Sequence, residues 1–239
     1  MENQINFFTI DDLWNERDKS IPVDPTKVYD PLHFWDGYGE RYYKQHEKRE
    51  MFQFGLNNNN PVAWMVFKMK QLGIEKVLEA GCGFGRLAPF LIDGGAAKEY
   101  YGIDFSSKIL EFWKDYLHAK ECDDKCPKDC KKQYTYLDKI HFENASAKNM
   151  PYEKKSMDAV ITSELLTHMT STKVDHCLRE FRRIAKKYII LTERHVYPGE
   201  HPYPHIWSND IPKLVYNLGF TVLESKFIGN GMVGIIARV

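Results

Sequence analysis

The chain has 239 residues, 33 basic and 33 acidic side chains with no formal net charge, and is 43% hydrophobic. That length suits one large α/β domain with an added arm, and the composition excludes a disordered chain, a collagen and a small disulfide scaffold. The balanced charge lacks the overall footprint of a nucleic-acid binder, so no nucleic acid is expected, although a local basic patch stays open. No stretch reaches the roughly 18 apolar residues of a membrane span, and the opening residues lack a basic and then apolar leader, so the expectation is a soluble, cytoplasmic protein. Cys82, Cys122, Cys126, Cys130 and Cys177 are an odd, unevenly spaced set that reads as reduced thiols.

Residues 1–60 form an arm rich in aromatics and charges, closing in Asn57–Asn60 and Pro61, a polar run that reads as a boundary loop. Residues 61–239 form the main domain. Val62, Met65, Val66 and Met69 recur at helical spacing up to a capping Gly73. A strand over Val77–Ala80, a glycine loop over Gly81–Gly85 and a helix from Arg86 to Ile92 follow. A second strand over Tyr100–Ile103 ends at Asp104, and Ser106 caps a helix to about His118. After a cysteine-bearing insert at 121–133 come strands at Ile140–Phe142, Ala159–Thr162 and Tyr188–Leu191, with helices across Val174–Ala185 and Ile211–Leu218. This alternation predicts a doubly wound, mostly parallel sheet of the Rossmann-like kind. The segments Thr221–Phe227 and Val233–Val239, joined at Gly229-Asn230-Gly231, read as a hairpin that closes the sheet with an antiparallel strand.

A glycine-rich turn between a strand and a helix lets the backbone approach a ligand, and the helix N-terminus offers N–H groups to an anion. A nicotinamide dinucleotide loop wants G-x-G-x-x-G. Here the order is G-x-G-x-G with Arg86 next, a large side chain where pyrophosphate needs close approach. Asp104, 19 residues past Gly85 at the end of the second strand, suits a ribose diol, and Arg86 suits a free carboxylate. A nucleoside joined to an amino-acid carboxylate describes S-adenosylmethionine.

On these residues the chain resembles the class I S-adenosylmethionine-dependent methyltransferases. Val77–Gly85 is similar to their first motif and Gly102–Ser106 to the acidic second one. Ala145–Tyr152, Ser156–Val160 and Glu164–His168 resemble later motifs in family order, over about residues 60–239. The resemblance implies that Gly81, Gly83 and Gly85 line the methionine part, with Arg86 near its carboxylate, and that Glu79 is a further cofactor-binding residue. It implies that Asp104 holds the ribose, that Phe105 packs on the adenine, and that Ser146 and Ala147 meet the adenine edge. Many family members carry Asp where Ser146 stands, a departure expected to loosen that contact. Ser163 would face the methyl-bearing sulfur. S-adenosylhomocysteine would be the product.

Methyl transfer from a sulfonium is an in-line displacement governed by positioning and water exclusion, and a base matters only when the acceptor holds a proton. Ser163-Glu164-Leu165-Leu166 stands where amine-methylating enzymes of nucleic acids and proteins often carry Asn or Asp, Pro, Pro and an aromatic, which turns the reading away from amide and exocyclic amine acceptors. The candidate acid/base residues are Glu164, His168 and His195, with His201, Tyr203 and His205 nearby. His168 is otherwise a helix residue packed on the cofactor loop. The His195, His201, His205 and Glu193 set follows no metal-site spacing, and C-x3-C-x3-C at 122–130 reads as a solvated insert, so no metal is assigned. Trp35, Tyr38 and Tyr42 stand where family members often carry a lid over the cofactor and acceptor, with Gly37 and Gly39 as points of movement; packing of an N-terminal helix against the core is the alternative. The expected activity is methyl transfer to oxygen or nitrogen of a small molecule. A protein or peptide acceptor, or a regulatory protein that binds the cofactor without turnover, are the alternatives.

Overall fold

The computed structural model describes residues 28–47, 60–116, 138–196, 205–229 and 231–239. The expectations placed on Cys122, Cys126, Cys130, His201, Tyr203 and the first 27 residues lie outside these. Helix α1 spans Pro31–Glu47 and α2 spans Pro61–Leu72. Helix α2 starts where it does because the Asn60 side chain accepts the Val62 N–H at 2.9 Å, and Pro61 forfeits no helical hydrogen bond there. It stops at Gly73, whose φ of 62° lets its N–H turn back onto the last carbonyls.

Strands β1 (Lys76–Ala80), β2 (Glu99–Asp104), β3 (Ile140–Asn144), β4 (Met157–Ser163) and β5 (Ala185–Arg194) run parallel. β6 (Thr221–Phe227) and β7 (Met232–Arg238) form the terminal hairpin, and β7 lies antiparallel between β5 and β6. The order across the sheet is β3-β2-β1-β4-β5-β7-β6. β5 runs three residues longer than its apolar stretch at each end, because Ala185 pairs with Met157 of β4 at its start and Thr192 to Arg194 pair along β7 at its end.

Between the strands lie α3 (Ala88–Asp93), α4 (Ser107–Leu110), a 3-10 turn (Leu166–His168), α5 (Ser171–Ile184) and α6 (Ile211–Asn217). Two expected helices are shorter. The glycine loop runs on as turns to Leu87 before α3 begins, and α4 breaks after Leu110 to resume over 113–116. Apolar layers cover both sheet faces. One holds Trp64, Met65 and Met69 of α2 against Val77 and Ile161, and the other holds Val174, Leu178, Phe181 and Ile184 of α5 against Val160 and Ile189. The i, i+4, i+7 and i+10 spacing of those α5 residues puts all four on one face, each fully buried and worth about 1.5–3 kcal/mol. Among the described residues no helix is long and apolar enough to cross a membrane.

Candidate functional site

The strand order reverses between β1 and β4, so their outgoing loops diverge and leave a crevice at the C-terminal end of the sheet. A cavity of about 490 Å³ opens there, covered by α1. Gly81 and Gly83 line it with φ of 71° and 58°, backbone that L side chains resist. A Cβ on Gly81 would stand 2.6 Å from Leu165 Cδ1. The Gly81 and Cys82 N–H groups donate to the Ile103 carbonyl at 2.8 and 2.9 Å, and the Gly83 N–H donates to Asp104 Oδ2 at 3.0 Å. These three amides are engaged within the fold, and the Arg86 side chain lines the cavity as a cation for a ligand carboxylate. Gly85 does not line the cavity. A Cβ there would lie 2.2 Å from Phe142 Cζ, so its glycine serves packing behind the loop rather than the methionine part.

Asp104 is buried, with Oδ1 accepting the Ser106 N–H at 3.0 Å and Oδ2 that of Gly83. Burial raises its carboxyl to about 6, against the pull of those amides. The Ser106 hydroxyl donates to Asp36 of α1 at 2.5 Å, tying the covering helix to the Asp104 loop. Glu79 is buried beside them and accepts from the Tyr100 hydroxyl at 2.5 Å. Burial raises Glu79 to about 8, while Tyr100 and Arg86 oppose the rise and Asp104 adds to it. Phe105, Ser146 and Ala147 complete this wall.

The other half of the cavity grows from the ends of β4 and β5. Glu164 leaves β4 with a φ of 57°, anchored by its N–H on the Thr192 carbonyl at 2.8 Å, and its carboxylate pairs with Arg194 at 3.1 Å. Glu193, buried at the end of β5, accepts from Thr162 Oγ1 at 2.6 Å and from both the N–H and Oγ1 of Thr167 at 3.1 Å. It thereby holds the turn that carries His168. Burial raises Glu193 to about 7, against those hydrogen bonds.

His168 Nδ1 lies 3.0 Å from the His205 carbonyl oxygen, which can only accept. The proton is therefore on Nδ1, and Nε2 keeps its lone pair. Burial lowers the His168 pKa; the His205 carbonyl and Glu164 oppose this, and Arg194 adds to it. The imidazole is neutral. Phe34, His205 and His168 form one column, with centroids 4.9 and 5.3 Å apart and near-parallel planes, and Trp35 meets His168 edge-on at 4.9 Å. Tyr38 and Tyr42, one turn apart on α1, also face the cavity.

Ser163, Glu164 and His168 thus share one cavity with the cofactor wall, and His195 does not. It is exposed, edge-on to Phe227 at 5.1 Å, with its backbone N–H on Gly231. It stands one residue past the end of β5, outside the strand's alternation. A Cβ on Gly39 would lie 3.3 Å from Ile109, a close approach of α1 to α4. Among the described residues no three His, Cys, Asp or Glu side chains gather as metal ligands. Glu193, Arg194, Lys173, Asp36, Phe34 and Tyr29 belong to no motif, though Glu193 and Arg194 do fall at the end of β5, where α/β sheets gather their ligands.

Residues 77–188 match the family model described as a methyltransferase domain. Among solved structures, the chain is similar to magnesium protoporphyrin IX methyltransferase from Synechocystis PCC 6803 with bound SAH, with a TM-score of 0.63 and 17% identity over 87% of this chain and 97% of that one. It is also similar to a SAM-dependent methyltransferase from Aquifex aeolicus, with a TM-score of 0.59 and 17% identity over 83% of this chain and 97% of that one. At these identities the likeness establishes the fold.

Proposed function

We propose that the chain, whose residues 77–188 match a methyltransferase domain, is a class I S-adenosylmethionine-dependent methyltransferase that methylates a hydroxyl of a small molecule held beneath α1, with His168 as the general base. The residues fit the methyl donor. The open cradle at Gly83, the cation of Arg86 and the buried carboxylates of Asp104 and Glu79 match an amino acid joined to a ribose. In this reading Arg86 binds the donor's carboxylate, Glu79 its ammonium and Asp104 the ribose diol. When bound, S-adenosylmethionine supplies a methyl group on a positively charged sulfur.

The observation that carries the acceptor reading is the His168 Nδ1–H bond to the His205 carbonyl. It leaves Nε2 as a neutral acceptor on a ring that lines the cavity. His168 Nε2 would take the hydroxyl proton as the acceptor oxygen receives the methyl group that the bound donor supplies. Trp35 holds the ring edge-on, and Glu193 holds the turn beneath it. Glu164 is committed to Arg194 and orients that side chain rather than moving protons. The enclosure by α1 supports a small acceptor.

The first experiment is calorimetric titration with S-adenosylmethionine and S-adenosylhomocysteine, with NAD as the control. Methyl transfer to paired phenols and anilines then tests the acceptor atom. Phenols are the expected acceptors, and His168→Gln should lower their turnover about 10²–10⁴-fold with donor affinity retained. Preference for anilines, or full turnover by His168→Gln, would overturn the reading.

A further inference from the structure

We propose that the acceptor half of the cavity recognises a compact planar hydroxy acid, its ring held against the α1 aromatics and its anionic group met by Lys173 and Arg194. This rests on the methyltransferase reading of the cavity and adds the substrate class.

The lining is rich in aromatic rings. Phe34, Trp35 and Tyr38 come from α1, and Phe34, His205 and His168 stack in one column that Trp35 meets edge-on. Such surfaces bind rings by offset or edge contacts at low entropic cost. An aromatic enclosure by itself suits a cationic amine equally well, and the surrounding charges decide between the two.

Lys173 lines the cavity from the first turn of α5 and makes no ion pair or hydrogen bond among the described residues. A cation in that turn opposes the helix dipole, so α5 gains nothing from lysine there. Arg194 lines the same side and gives one nitrogen, Nη2, to Glu164, which leaves other guanidinium donors for a ligand. Glu164 is the one acidic side chain lining this half among the described residues, and Arg194 already neutralises it. The acceptor half therefore carries net positive charge, which repels an ammonium and attracts a carboxylate. The Tyr29 hydroxyl, buried at the wall and accepting from Trp35, keeps its own proton as one more donor. A molecule that meets all of these has a ring, an anionic group and a hydroxyl for His168.

The test uses the full chain saturated with S-adenosylhomocysteine, whose binding is measured first and independently checks the underlying reading. 4-Hydroxybenzoate and 4-hydroxybenzamide, alike in shape and different in charge, are titrated by ligand-observed NMR. The acid should bind at least tenfold tighter than the amide. Lys173→Met should cut that gap to threefold or less, with S-adenosylhomocysteine affinity unchanged; this exposed first-turn substitution removes a cation the helix disfavours, so the variant folds. Equal affinity for acid and amide, binding of neither, or a gap that survives Lys173→Met would overturn the proposal. His168→Gln should keep the acid preference, so the failure of the base and the failure of the anion site are read separately.

Discussion

Glu193 offers the sharpest test of how the site is held. Alanine there removes the acceptor for Thr162 Oγ1, for the Thr167 N–H and for Thr167 Oγ1, at 2.6, 3.1 and 3.1 Å. The hydroxyls can rotate toward other acceptors, but the Thr167 amide cannot. A stranded buried amide costs about 1–3 kcal/mol, and with the void left in a site only 1% exposed the total comes to about 2–4 kcal/mol. In a chain of this size that lowers the melting temperature by roughly 5–15 °C. Glutamine behaves differently, because its amide oxygen still accepts from Thr167 and its NH2 can donate to Thr162, without a charge to desolvate.

The pH dependence separates the two variants. Burial raises the Glu193 carboxyl from 4.5 to about 7, so the native state holds this proton more tightly than the unfolded chain does. Its contribution to stability is complete below about 4.5 and declines by up to about 3 kcal/mol as pH rises toward 7. Urea unfolding of wild type, Glu193→Ala and Glu193→Gln at pH 5 to 8 measures this. Glu193→Gln should gain on wild type as pH rises, and Glu193→Ala should lie below wild type throughout. Wild-type stability in the alanine variant, or a glutamine difference independent of pH, would refute the reasoning.

Donor affinity should itself depend on pH. Glu79 sits at about 8 in the free protein, and an ammonium beside it favours the carboxylate, so binding releases a proton and affinity rises from pH 6 until it levels above 8. Calorimetry in buffers of different ionisation enthalpy measures the proton, and Glu79→Gln should abolish its release. Asp104→Ala should weaken S-adenosylmethionine binding by about 1–3 kcal/mol, and an unchanged dissociation constant would sink its ribose role. Gly85→Ala meets the Phe142 ring in a left-handed backbone and should cost about 2–4 kcal/mol of stability. Gly83→Ala, whose Cβ has room at 3.6 Å but sits on a φ of 58°, should cost only the left-handed backbone's roughly 1–2 kcal/mol of stability and should also lose donor affinity.

Local pattern determined the strand and helix alternation, the hairpin at the end and the cofactor wall. Period-2 and period-3.6 burial, the Asn60 cap, the left-handed glycines and Asp104 at a strand end are all written within short windows of chain. The acceptor half was decided by tertiary structure. His168 gets its tautomer from a carbonyl 37 residues away, and Asp36 meets Ser106 across 70 residues. Glu193 is paired within β5 and buried, whereas His195 stands one residue past the strand and is exposed, so the point at which β5 ends decides that Glu193 is inside and His195 out. Gly85 looked like part of a ligand cradle until Phe142 of β3 came up behind it. Residues that act through the backbone of their own turn can be read along the chain. Those that act through a partner brought in by the sheet cannot, because neither composition nor spacing encodes which side of a crossing they meet.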